Sequence, residues 1–472
     1  AEGSRRTEVE RIGDAPPDPV ARAEAALKLV QNRIRYVALA MGEGGLVPAD
    51  AAQTWSRRYG DCKGKTALLL AILGELGIEA GPVFVHTGLG DTLGERLPTV
   101  GAFDHVLVRA RIAGRDYWLD GTRTGDSTLA RLPTPDFGWG LPVYTGTSEL
   151  VRMVPAPLEE PQSDLSIHMD ASKGIRIPVP TRLELVMRGD AAIGTNQLLA
   201  NLVGQQRDAA LREFWRRSFD FVEPHEVGLT FDEAAGELRF TLDGDATLKW
   251  NGNWYETDNS GVGYNADFTR EPGPNSDAPF AVPHPIFTRT RQTIILPPGF
   301  SGPKDAQVDE TVAGLEYRRQ ATMTGNTLVL ETTTRSVATE FAAKDAPAFQ
   351  KRLRELADKR VYLRIPDGYR PTPADLGVVM SAMPDSLSDL VAQGNELLNA
   401  GRYDEALVHF VEATERDPEN AIAWANRGVT LVWKDALSDA EPALDKAEGL
   451  APRSAIAFRA RGFMAQKRGH AL

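Results

Sequence analysis

The chain holds one cysteine, Cys62, in the run Tyr59-Gly60-Asp61-Cys62-Lys63-Gly64-Lys65. An apolar-periodic stretch follows, with Ala67, Leu68, Ala71, Ile72 and Leu76 at helical spacing and Gly77 as its stop. The cysteine therefore opens a helix, where unpaired backbone N–H groups and the positive end of the dipole favour a thiolate. Lys63 and Lys65 add positive charge nearby. The same N–H groups can receive the oxyanion that forms when a thiolate attacks a carbonyl. A lone cysteine is also a common small core residue, so the chemical reading depends on partners elsewhere in the chain.

Two downstream residues supply them. His105 stands in Phe103-Asp104-His105-Val106-Leu107-Val108, and Asp120 ends Tyr117-Trp118-Leu119-Asp120. Ala113-Gly114 between them reads as a two-residue hairpin turn, which pairs residue 112 with 115 and therefore 105 with 122. Asp120 then lies on His105's face of the sheet, within diagonal reach. A carboxylate so placed holds one imidazole nitrogen while the other faces a thiolate. His86 is the rival base and reads better as a packed or surface histidine. His168, His225, His284, His409 and His470 fall in other parts of the chain, which contain no cysteine.

The elements that must position these groups are a helix over 20–36, opened by Pro16-Pro17-Asp18-Pro19, and a second over 62–76. Strands over 83–86, 103–112 and 116–119 follow, an α+β order. This first domain runs over 1–150. Residues 151–375 alternate apolar and polar in stretches such as 182–188, 237–242, 292–296 and 327–332, with helices over 196–217 and 346–359. That pattern predicts a β-sandwich-like domain with inserted helices. Its Trp250-Asn251-Gly252-Asn253-Trp254-Tyr255 segment reads as a turn with packed aromatics.

The last domain, 385–472, repeats every 34 residues: Leu390, Trp424 and Phe458 keep that interval, as do Gly394, Gly428 and Gly462. Ala406 and Ala440, Ala413 and Ala447, and Pro418 and Pro452 agree with it. The segment resembles tetratricopeptide repeats, with two full units and the first helix of a third. Small residues would let paired helices approach, and Trp424 and Phe458 would fill the gaps between neighbours. Such an array presents a surface to a protein partner, and the stretch over 371–388 predicts few contacts across its boundary.

A second resemblance covers 20–125. Arg35-Tyr36-Val37, Gly42-Glu43-Gly44-Gly45, Pro48, Tyr59-Gly60-Asp61-Cys62-Lys63, Phe103-Asp104-His105 and Tyr117-Trp118-Leu119-Asp120 resemble the transglutaminase-like superfamily, in particular its bacterial branch with flanking β domains. The resemblance implies a papain-like α+β core with Cys62 as nucleophile, His105 as base and Asp120 as orienter. Tyr36 is the family-positioned oxyanion donor, with Gln53 and Trp55 as rivals. Gly64 after Cys62-Lys63 and Gly121 after Asp120 depart from the branch, which has an acidic residue and a proline there. The implied activity is thiol-dependent acyl transfer by a peptidase or amidase acting on a peptide or protein. A protein-glutamine transamidase and a non-catalytic peptide-binding scaffold are the alternatives.

Composition limits the remaining possibilities. At 472 residues the chain suggests about three domains. A net charge of −12 without a Lys/Arg cluster argues against a nucleic-acid partner. A single cysteine excludes an internal disulfide and a cysteine metal site, and no cofactor or metal is called for. No segment approaches the ~18 apolar residues of a membrane helix. The charged start, Ala1-Glu2-Gly3-Ser4-Arg5-Arg6, lacks both Met and an apolar core, so it is no signal peptide. It suggests a processed or truncated chain, which would be periplasmic or secreted if a leader has been removed.

Overall fold

The computed structural model describes residues 2–13, 18–38, 47–126, 128–143, 149–257, 261–303, 306–366, 369–381 and 383–469. The Gly42-Glu43-Gly44-Gly45 motif and His470 lie outside the described residues. The first unit comprises α1 (Glu2–Gly13), α2 (Pro19–Arg33), β1 (Arg35–Tyr36), α3 (Ala51–Arg57), β2 (Tyr59–Gly60) and α4 (Cys62–Glu75). An antiparallel sheet follows, made of β3 (Glu79–Val85), β4 (His105–Ile112), β5 (Arg115–Leu119), β6 (Trp139–Pro142) and β7 (Val151–Arg152) in the order β5-β4-β3-β6-β7.

Asp18 caps α2 by accepting the N–H groups of Val20 and Ala21, with Pro19 inside the first turn. The helix stops at Arg33, short of Tyr36, because the backbone turns extended at Ile34 and residues 35–36 pair in parallel with β2. Leu27 and Val30 of α2 meet Leu68, Leu69, Ile72 and Leu73 of α4 and Val108, Ala110 and Ile112 of β4 in one buried core. Burying such side chains contributes about 1.5–3 kcal/mol each and fixes α4 against the sheet. Ile112 pairs with Arg115 around Ala113 (φ 49°) and Gly114 (φ 81°), so the two-residue hairpin turn forms as read.

The middle unit contains β8 (Ser163–Asp170), β9 (Val179–Arg188), α5 (Asp190–Leu199), α6 (Gln205–Ser218), β10 (Val222–Asp232) and β11 (Glu237–Ala246). After these come β12 (Trp254–Glu256), β13 (Phe280–Ala281), β14 (Phe287–Ile295), β15 (Val308–Val312), β16 (Leu315–Thr324), β17 (Thr327–Ser336), β18 (Glu340–Phe341), α7 (Ala346–Asp358) and β19 (Tyr362–Arg364). The predicted β-sandwich is corrected here. The long strands join one eight-stranded sheet, β10-β11-β9-β8-β14-β17-β16-β15, through a parallel pairing of β14 with β8. Strict alternation, as in β11, reports one buried face and not what covers it. Here helices contribute to the cover: Leu211 and Trp215 of α6 share a core with β8, β9 and β11, while Leu353 and Leu356 of α7 pack with β15 and β16. The single helix predicted over 196–217 is two helices, broken before α6 at Gly204 (φ 55°). The aromatic segment is a turn, with Trp250 packed 5.4 Å from Tyr255.

The C-terminal region is all helix: α8 (Pro373–Ser381), α9 (Leu387–Asn399), α10 (Tyr403–Arg416), α11 (Ala421–Trp433), α12 (Leu437–Leu450) and α13 (Ala455–Lys467). Helices α9, α11 and α13 begin 34 residues apart, as do α10 and α12. A Cβ on Gly394 would sit 2.7 Å from Phe410, and one on Gly428 2.5 Å from Leu444, so both glycines permit close helix contact. Trp424 packs partly buried against the helical core, but Phe458 is 56% exposed and does not fill a gap. The boundary stretch contains α8, and a largely buried ion pair crosses it. Arg176, between β8 and β9, pairs at 3.0 Å with the buried Glu405, and its N–H donates to the buried Asp375 at 2.7 Å. No helix among the described residues is long and apolar enough to cross a membrane.

Candidate active site

Cys62 is the first residue of α4 and is partly exposed. Asp61 caps the helix, its carboxylate accepting the Gly64 N–H at 2.9 Å. The other carboxylate oxygen pairs with Lys63, so Asp61 neutralises a charge that the sequence had assigned to the thiol. Lys65 also departs from that reading. It is buried, and its ammonium donates to the carbonyl of Ile34 at the end of α2. Burial holds the Lys65 ammonium below its ordinary pKa, against the opposing charge of Asp120. Thr66 Oγ1 donates to the Val106 carbonyl at 3.1 Å and ties the cysteine's helix to the strand that starts at His105.

The β4–β5 ladder ends at Val108 and Leu119, and the chain turns at Asp120. Thr122 donates its N–H at 2.8 Å and its hydroxyl at 2.7 Å to one Asp120 oxygen. The other oxygen lies 2.8 Å from His105 Nε2. Both side chains are nearly buried, at 10% and 6% exposure. Cys62 stands close enough to His105 to act on its charge state. With Nε2 engaged by Asp120, Nδ1 is the ring nitrogen left for the sulfur. Phe137 stands edge-on to the imidazole at 6.1 Å.

The electrostatics follow from this packing. Burial alone would lower the His105 pKa, but the hydrogen bond to Asp120 and the charges of Asp120 and Cys62 outweigh it and raise it to about 10. Burial alone would raise Asp120, yet the hydrogen bonds from His105 and Thr122 hold it below the usual carboxylate value. The arrangement favours an imidazolium held against the Asp120 carboxylate.

Tyr36 pairs with Gly60, two residues before the cysteine, and its side chain is 47% exposed. Its phenol is raised above its ordinary value by burial, then by the charges of Cys62 and Asp61, against Lys63. It therefore remains an O–H donor beside the thiol. The rivals are placed differently. Trp55 is buried beneath the Arg58 guanidinium, 3.7 Å from its ring, and Gln53 is exposed on α3. His86 accepts the N–H groups of Gly88 and Leu89 at 3.0 and 3.1 Å, a turn role. His284 is held by Ser336 and the Pro155 carbonyl at 2.9 and 2.8 Å. Among the described residues no cluster of His, Cys, Asp and Glu suits a metal ion.

The sequence reading passed over the capping role of Asp61, the burial of Lys65, and the contacts of Thr122, Gln31 and Asp126. The first and third carried local signals, an Asp before an apolar helix and a Thr two residues after an Asp. The other three act across long sequence separations.

No protein-family model matches the chain, and no curated protein matches it. Among solved structures it is similar to a crystal structure from Parabacteroides distasonis named a "putative protease", at 12% identity and a TM-score of 0.41. The match covers 77% of this chain and 55% of that one, so the chain spans little more than half that protein's length.

Proposed function

We propose that this chain is a cysteine acyl-transfer enzyme of the transglutaminase-like kind, working as a peptidase or amidase. One observation carries the reading: His105 is 2.8 Å from Asp120 and within electrostatic reach of Cys62, which opens a helix. The Cys62 thiolate attacks a carboxamide or peptide carbonyl. The N–H groups of Cys62 and Lys63 at the start of α4, beyond those that Asp61 holds, and the Tyr36 hydroxyl receive the oxyanion. His105 then protonates the leaving amine, and a thioester remains on Cys62. His105 next takes a proton from water, whose hydroxide attacks the thioester and releases the acid. The exposure of Tyr36 beside the thiol favours water over an amine as acceptor. The helices of 387–467 resemble tetratricopeptide repeats in their 34-residue interval and serve to hold a protein partner.

Turnover of short peptide amides by the full chain tests this proposal. Cys62→Ala and His105→Ala should each abolish hydrolysis while leaving the melting temperature close to wild type. Hydrolysis that survives Cys62→Ala in purified protein would refute it.

A further inference from the structure

The loop that follows Asp120 is held from the middle unit. Gln31 Nε2 donates to the Asp120 carbonyl at 2.9 Å and to Asp126 Oδ2 at 2.7 Å, in buried surroundings. Arg123 grips the same Asp126 with Nε at 3.2 Å and Nη2 at 3.0 Å, and its own N–H donates to the Asp120 carbonyl at 3.4 Å. The guanidinium then reaches out of the unit to Asp190, 67 residues on, with Nη1 at 3.3 Å from one oxygen and Nη2 close to the other.

Asp190 begins α5, and it is not alone. Gln197 Nε2 donates to Thr124 Oγ1 at 3.2 Å, and Ile193 stands so close that a Cβ on Gly125 would lie 2.9 Å from it. Residues 190, 193 and 197 share one helical face. That face lies on 123–125, and Gly125 is in the left-handed region (φ 88°), a conformation in which glycine alone is unstrained.

We infer that α5 of the middle unit is a brace that fixes Asp120 against His105, making Asp190, Ile193 and Arg123 positioning residues for the site. The inference rests on the proposed function only for its effect on turnover. The Asp120 carboxylate is hydrogen-bonded to His105 and to Thr122 of its own turn, so it is only as well placed as the backbone that carries it. Gln31 and Arg123 converge on that backbone, and Asp190 sets where Arg123 can lie. Releasing the brace should let the carboxylate drift, and a misplacement of about 1 Å can cost on the order of 10²-fold in rate.

The test uses the full chain with Asp190→Ala, Ile193→Ala and the conservative Asp190→Glu. In nitrogen-labelled protein, the proton resonance on His105 Nε2 reports the hydrogen bond to Asp120 whether or not turnover is seen. The brace predicts that Asp190→Ala moves or broadens this resonance and lowers kcat by about ten- to 10²-fold with KM little changed. Ile193→Ala, which alters no charge, should move the resonance in the same sense, and Asp190→Glu should restore it. An unmoved resonance in folded Asp190→Ala protein overturns the inference, even if the melting temperature falls. Absence of any amide turnover in the wild type would instead count against the proposed function, and the resonance would still decide the brace.

Discussion

His105 and Asp120 meet at 2.8 Å because a two-residue turn fixes the register of the hairpin that joins them. The turn sets Val108 opposite Leu119, and Asp120 leaves the ladder on the side that faces the imidazole. The carboxylate is then locked by Thr122, so its second oxygen is presented to His105 rather than to water.

Asp120→Asn should leave the fold intact, since the change is nearly isosteric. An amide can present its N–H₂ to the imidazole and favour the wrong tautomer. Exchange of the third member of a serine triad lowers turnover by about 10⁴-fold, and a thiolate–imidazolium pair leans on it less, so a loss of roughly 10- to 10³-fold is expected here. Turnover and melting temperature taken on one preparation decide the matter. An unchanged rate with a lowered melting point would mean that Asp120 only terminates the strand.

The same pair predicts a pH dependence of stability. The folded state raises His105 to about 10, so its contribution is complete below the unfolded value near 6.5 and is lost as pH rises toward 10. It lowers Asp120, so that contribution is present above about pH 4 and lost as pH falls through the folded value. The melting-temperature difference between wild type and Asp120→Asn should therefore peak between about pH 4.5 and 6.5. It should shrink on both sides of that window. A difference that stays flat from pH 5 to 10 would contradict the ion pair.

How far the site could be read ahead of the structure follows from distance along the chain. Cys62 at a helix start and the turn that pairs 112 with 115 rest on local rules, a capped apolar periodicity and a short turn, and these were legible. The expected pairing of 105 with 122 does not form, because the ladder ends at Val108 and Leu119. The direction of Lys65 was not, because helical spacing says which residues share a face but not that the Ile34 carbonyl waits opposite. Alternation in β9, β11, β14 and β17 shows which side chains are inward, yet cannot distinguish a second sheet from a helical cover. The contact of Asp190 with Arg123 joins two units and leaves no periodic trace in either.

Lys65→Met tests the buried ammonium. The methionine keeps the apolar stem packed but leaves the Ile34 carbonyl without its donor, which costs about 1–3 kcal/mol. Because Ile34 leads directly into Arg35–Tyr36, activity should fall along with stability. Chemical denaturation with wild-type stability in this variant would show that water replaces the lysine at no cost.

Glu405→Gln tests the attachment of the helical region. Glu405 is 2% exposed and faces both Arg176 and Arg402. Removing its charge strands a largely buried guanidinium, a loss of about 3–5 kcal/mol for such pairs. Limited proteolysis should then cut between the middle unit and 387 faster than in wild type. Equal cleavage rates would show that the helical region is held by other contacts.

The central claim is that Cys62 forms a thioester with its substrate. Intact-mass spectrometry of the full chain, quenched in acid during reaction with an activated acyl ester or slow amide, reads this directly. The account predicts one added acyl group, mapped to the peptide containing Cys62, labile to hydroxylamine and absent from Cys62→Ala. An acyl group mapped to any other residue, or turnover of the substrate with no adduct on Cys62 under conditions where deacylation is blocked, would contradict it.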